Sequence, residues 1–230
     1  MNLVLGAIYG YDWEKVKHFV ISLRKHYDGK IAFIVDMNVI TNAELMGYLN
    51  DYGVFFHLYD KRLQSNHEIQ NNRFELYSDI IKEHYSDVEK VFITDVRDVI
   101  FQDDPFVYGF EEGQELEFYY EPELIGNCPC NSWWYQTMFG DEVLNHVKDK
   151  TIICCGTIMG TREGLLNYLE LFKQEFQNMR DSGRVFTGGE DTVVHNLLVY
   201  DYKIPMNFKL KYNGEGAVST MEHQKTFSFD

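Results

Sequence analysis

Asp95 and Asp98 stand three residues apart with Arg97 between them, directly after the apolar β-forming run Val91-Phe92-Ile93-Thr94. The pattern predicts a buried strand that ends in a cluster of charge. Burying carboxylates is costly unless a cation or a well-placed arginine compensates. Two chemistries meet that demand. In one, the aspartates offer oxygen ligands to a hard divalent cation, which holds the phosphates of a ligand. In the other, Arg97 pairs with one aspartate and the second caps a turn.

The elements around this stretch bear on the choice. Leu3 to Tyr9 reads as a buried strand broken at Gly10, after which Asp12 caps a helix with Trp13, Val16, Val20, Leu23 and Tyr27 inward. Asp28-Gly29 leads to a second strand, Ile31 to Val35. Thr41-Asn42-Ala43-Glu44 reads as a capping box for a helix with Leu45, Leu49 and Tyr52 inward, and Val54 to Tyr59 is a third strand. Arg73 to Tyr85 has helical spacing, and the strand that ends at the aspartates follows. Alternation of this kind implies a mainly parallel sheet flanked by helices, in which ligands bind beyond the carboxyl ends of the strands. Asp95 and Asp98 fall at such an end, which favours the ligand-binding chemistry.

The second half is less regular. Phe106 to Glu121 is strand-like, and Pro122 to Tyr135 reads as a loop carrying Trp133 and Trp134. Thr151 to Met159 is another apolar strand, interrupted at Cys155-Gly156-Thr157, where glycine would let a ligand approach the backbone. Thr161 caps a long helix with Leu165, Leu169, Phe172, Phe176 and Met179 inward; Gly188-Gly189-Glu190-Asp191 opens a shorter one, and the tail after Lys211 has little periodicity. No repeat or linker divides the chain, so residues 1–230 read as one domain.

Composition bounds the partners. The 230 residues carry a formal charge of -15, with 45% hydrophobic and 16% aromatic residues. Such a surface repels nucleic acid and anionic lipid, and no basic stripe offsets it. Cys128, Cys130, Cys154 and Cys155 lack zinc-site spacing and read as structural thiols in a reducing compartment, with a disulfide between the two pairs the minority alternative. Met1 to Gly10 has no basic n-region, and no apolar run reaches eighteen residues, so a cytoplasmic protein without a membrane span is expected.

The order of these elements, the carboxylate turn after the fourth strand, the glycine-broken strand and the acidic turn together resemble a GT-A fold glycosyltransferase. Asp95-Val96-Arg97-Asp98 resembles the D-x-D motif of those enzymes, and the frame from Arg73 through Gln102-Asp103-Asp104-Pro105-Phe106 is similar to that part of small nucleotide-sugar transferases. The family has one residue between its aspartates; here Val96 and Arg97 intervene. Matching Asp98 to the final aspartate makes it the direct metal ligand, and Asp95 then matches the first through a one-residue bulge. Gly188-Gly189-Glu190-Asp191 resembles the acidic turn of inverting members, including the beta-1,4-galactosyltransferases, where the aspartate takes the acceptor's proton.

The resemblance implies a single GT-A domain, with a nucleotide-binding half to about 106 and an acceptor-binding half after it, and a hexosyl transfer from a nucleotide-diphosphate donor, a UDP-sugar, to a carbohydrate hydroxyl. A manganese or magnesium ion would sit on Asp98, Asp95 and His223. A carboxylate within reach of a hydroxyl is what base catalysis needs, so Asp191 with Glu190 is the expected catalytic pair, against the plain alternative that acids favour a first helical turn. Ala7, Ile8, Tyr9 and Asp36 would form the base and ribose pocket, and Tyr9 or Tyr11 would stack on the base. Arg73 would contact a diphosphate oxygen, or else pair with Glu75 or Asp79 on its own helix. Arg97, Gly156 and Thr157 complete the donor site, while Trp133 and Trp134 offer an acceptor platform. His57, His67 and His195 read as structural. The alternatives are a non-catalytic nucleotide-sugar-binding module and a metal-dependent phosphatase or phosphotransferase; release of free UDP from UDP-sugars separates the first from a transferase.

Overall fold

The structure, a computed structural model, describes residues 1–59, 66–184, 188–201 and 203–221. Four strands arise where the apolar runs predict them: β1 (Asn2–Ile8), β2 (Lys30–Val35), β3 (Val54–Leu58) and β4 (Lys90–Thr94). They join β6 (Leu116–Leu124), β7 (Thr151–Thr161) and β8 (Phe208–Tyr212) in a seven-stranded sheet of order β3-β2-β1-β4-β7-β6-β8. Among the described strands of this sheet only β7 runs antiparallel to its neighbours, so the sheet is mostly parallel and the architecture is Rossmann-like α/β.

Side chains alternate across each strand and split the core in two. Leu3, Leu5, Ile34 and Ile93 face α4 (Asn66–His84), α7 (Arg162–Asp181) and α8 (Glu190–Tyr200). Val4, Ile8, Phe33 and Phe92 face α1 (Trp13–His26) and α3 (Ala43–Asp51). Burial on both faces explains why these strands read as continuous apolar runs. Among the described residues no helix is long and apolar enough to cross a membrane.

Two caps fall where expected: Asp12 accepts from the Lys15 N–H at 3.1 Å, and Thr161 from the Gly164 N–H at 3.0 Å. Thr41 does not cap. It ends a short helix, α2 (Met37–Thr41), and Asn42 takes the N-cap of α3, accepting from Leu45 N–H at 3.1 Å.

Four segments depart from the sequence reading. The strand expected from Phe106 begins only at Leu116, and it continues through Pro122 to Leu124. The loop expected to hold the tryptophans is the helix α5 (Pro129–Phe139), followed by α6 (Asp141–Val147); Pro129 supplies a helix start that the unpatterned apolar positions hid. Beyond Asp98, β5 (Val99–Phe101) pairs with β9 (Val218–Thr220), drawn from the tail in which no element was expected. That ribbon fixes the aspartate turn, because Met221 N–H donates to the Asp98 carbonyl at 2.6 Å.

Candidate functional site

A cavity of about 490 Å³ opens beyond the carboxyl ends of β1 and β4, within the usual size range of small-molecule sites. Asp95, Arg97 and Asp98 line it from the β4 side, Ala7 and Tyr9 from β1, Gly156 from β7, and Arg73, Trp134 and Asp191 from three helices.

The local order of β4 sets the aspartates. Its ladder with β7 extends one bond past Thr94, as Asp95 N–H donates to the Gly156 carbonyl at 2.7 Å. Gly156 lies so close that a Cβ there would overlap the Asp95 carboxylate. The glycine expected to admit a donor thus first admits Asp95. Gly156→Ala should push that carboxylate aside, costing roughly 1–3 kcal/mol of stability, as overpacked sites do. Urea unfolding checks this; an unchanged midpoint would mean the strand yields freely.

Arg73 organises the site. Its guanidinium contacts Asp95 through Nη1 and Asp191 at 3.1 Å through Nη2, tying the β4 end to the first turn of α8. The side chains are 12% exposed for Arg73, 36% for Asp95 and 10% for Asp191. Glu75, offered by sequence as a partner, pairs instead with Lys173 at 2.8 Å, because Arg73 faces inward and a buried guanidinium has to find carboxylates in the interior. Burial would lower the Arg73 pKa, yet Asp95 and Asp191 outweigh it and hold the group well above its ordinary value. Burial pushes both Asp95 and Asp191 up from 3.8, with Arg73 pulling each back. Arg73 Nε is buried with no hydrogen-bond partner among the described residues.

The other members divide. Arg97 lies 3.8 Å from Asp98 and is half exposed, so this pair contributes little to stability. Tyr9 lines the cavity, its hydroxyl buried without a partner among the described residues; burial and then the neighbouring Tyr77 and Tyr59 raise its pKa and keep it a proton donor. Trp134 lines the wall and packs so tightly on Gly189 that a Cβ there would overlap the indole. Asp191 Oδ1 accepts from Thr192 N–H at 2.9 Å.

Five expected members sit elsewhere. Asp36 caps α2, its oxygens accepting from Val39 N–H and Asn38 Nδ2 at 3.0 Å each, and it is not in the wall. Ile8 is fully buried in the core. Glu190 turns away: it accepts from Gly188 N–H at 2.8 Å and Asn71 Nδ2 at 3.3 Å, and so holds the turn that presents Asp191. Thr157 is fully buried behind Gly156, and Trp133 is 52% exposed on the outer side of α5. His223 lies outside the described residues, as does the side chain of His67. His57 bonds Tyr85 at 2.8 Å, and His195 shares a 2.5 Å bond with Tyr168 while burial lowers its pKa to about 3; both are structural.

The sequence reading missed Gln70, Glu121, Cys154, Cys155, Thr192 and Thr220, all in the wall. Glu121 stood inside a segment read as a strand, and only the long-range pairing of β6 with β7 turns it inward. The four cysteines are free; burial pushes the Cys154 and Cys155 thiols well up, so neither is a thiolate nucleophile.

Among the described residues the wall carries four carboxylates, Asp95, Asp98, Glu121 and Asp191, against two guanidiniums, Arg73 and Arg97. One or two carboxylates is the number found where a magnesium-like ion is shared with substrate phosphates, and Asp98 with Asp95 supplies it; among the described residues no three metal-ligating side chains converge. No protein-family model and no curated protein matches this chain.

Proposed function

We propose that the protein is a metal-dependent glycosyltransferase of the GT-A type, which moves a sugar from a nucleotide-diphosphate donor, a UDP-sugar, to a carbohydrate hydroxyl. The observation that carries the reading is the bridge through Arg73. It brings the carboxylate turn after β4 and the acidic turn of α8, two motifs far apart in the chain, into one cavity.

In this reading Asp98, with Asp95 beside it, would hold a manganese or magnesium ion, whose charge would neutralise the departing diphosphate. Tyr9 and Ala7 border the nucleoside, which gives the buried Tyr9 hydroxyl a partner. Trp134 offers an apolar face to the acceptor ring. Asp191 takes the acceptor's proton, held in place by Thr192 N–H and Arg73. Positioning and charge stabilisation then lower the barrier.

The test is nucleotide release. With manganese and a UDP-sugar, free UDP should form, and faster when a glycan acceptor is added; a binding module would form none. Asp98→Asn should abolish manganese-dependent UDP binding in calorimetry while its thermal melt stays near that of the wild type. Unchanged binding heats would remove Asp98 from the metal site.

A further inference from the structure

The carboxylate turn after β4 is held from the far end of the chain. β5 is fastened to α1, as Phe101 N–H donates to Ser22 Oγ at 3.1 Å and both Val99 and Phe101 enter the core. Its partner β9 is only three residues long, and a two-stranded ribbon is marginal by itself. Val218 anchors one end of β9 in the same core. The other end, Thr220, reaches the cavity wall, which Asp98 also lines.

Asn213 holds that end. It follows β8, the edge strand of the seven-stranded sheet, and Gly214 at φ 78° and Gly216 at φ 92° fold the chain back toward it. Asn213 Oδ1 accepts from Thr220 N–H at 2.8 Å, and Asn213 Nδ2 donates to the Thr220 carbonyl at 3.0 Å. One side-chain amide thus serves both backbone groups of Thr220, as a neighbouring strand would. The next backbone donor, Met221 N–H, points the other way and bonds the Asp98 carbonyl at 2.6 Å. Alanine at 213 would make neither bond to Thr220. An ionised aspartate only accepts, so it would repel the Thr220 carbonyl.

We infer that Asn213 is a positioning residue for the cation site: acting through Thr220 and Met221 from outside the cavity wall, it fixes the Asp98 backbone and with it the aim of the Asp98 carboxylate. This rests on the reading of Asp98 as a metal ligand and adds the group that holds that ligand in place. Removal of such supporting partners changes metal affinity by about 10–100-fold.

Two measurements test it, calorimetry with manganese and UDP and hydrogen exchange at the Thr220 and Met221 amides. Asn213→Ala and Asn213→Asp should each weaken manganese-dependent UDP binding by about tenfold or more and speed exchange at both amides. Glu215→Ala is the control. It removes another bond of the same turn, from Tyr212 N–H to the Glu215 carboxylate at 3.0 Å, and should leave the affinity near that of the wild type. Wild-type affinity in both Asn213 variants overturns the inference and leaves the metal reading standing. An equal loss of affinity in Glu215→Ala also overturns it, since the effect would then belong to the stability of the turn, as does a loss in the Asn213 variants with exchange at the two amides unchanged. A wild-type protein that binds no UDP with manganese overturns the metal reading and the inference together.

Discussion

Arg73→Met should lower stability by roughly 3–5 kcal/mol at neutral pH, the usual effect of removing one partner from a buried ion pair. The lower end is expected, because Asp95 keeps 36% of its side chain exposed and water can screen it. In a chain of this size that corresponds to a fall of about 6–12 °C in melting temperature. The pH dependence distinguishes this cause from lost packing against Phe74, over which the guanidinium sits at 5.1 Å. Asp95 and Asp191 already have raised pKa values in the fold, chiefly by burial, and Arg73 is what lowers them. Without it they rise further. A group whose folded pKa exceeds its unfolded value loses its stabilising contribution as pH rises through the folded pKa. The deficit of the variant should therefore be small near pH 3.8, where the carboxyls are protonated, and grow as pH rises above it. Asp95→Asn and Asp191→Asn added to Arg73→Met should recover much of the loss at neutral pH. A deficit that stays constant with pH would assign the effect to packing.

The first half of the chain was legible because its signals are local. Apolar runs gave β1 to β4, and Asp12 marked a helix start that the structure keeps. Pairing across the sheet left no such trace. Nothing in Thr151 to Thr161 says that β7 inserts antiparallel between β4 and β6, and the short strand Val218–Thr220 becomes one only by pairing with β5. The tryptophan helix was hidden for another reason: Trp133 and Trp134 are adjacent, so one faces out and one faces the cavity, and no periodic stripe forms. The site divides the same way. Asp95, Asp98 and Asp191 stood out as motifs, whereas the partners of Arg73 and the inward turn of Glu121 depend on contacts between distant segments. Glu190 and Asp191 show the limit of a motif: they are adjacent acids at one helix start, and only the side-chain directions separate the residue that builds the turn from the one the turn presents.

That separation gives the second large effect. Asp191→Asn should reduce kcat/KM for transfer by about 10²–10⁴-fold, the range for loss of a positioned general base, with UDP and manganese binding close to that of the wild type. Asparagine keeps the shape and an oxygen to accept from Thr192 N–H, so the first turn of α8 should hold. The pH profile carries the stronger test. A base must be ionised, and burial raises the Asp191 pKa above 3.8 even with Arg73 beside it. The wild-type kcat/KM should therefore rise with pH along an acid limb whose midpoint lies above that value, and the limb should vanish in Asp191→Asn. Glu190→Gln provides the contrast. It weakens the bonds from Gly188 and Asn71, so it should lower the melting temperature while the acid limb stays in place. Were the limb to vanish in Glu190→Gln and persist in Asp191→Asn, the roles of the two acids would be reversed. Were it to persist in both, the proton would go elsewhere, and Glu121, another carboxylate in the wall, would be the residue to change next.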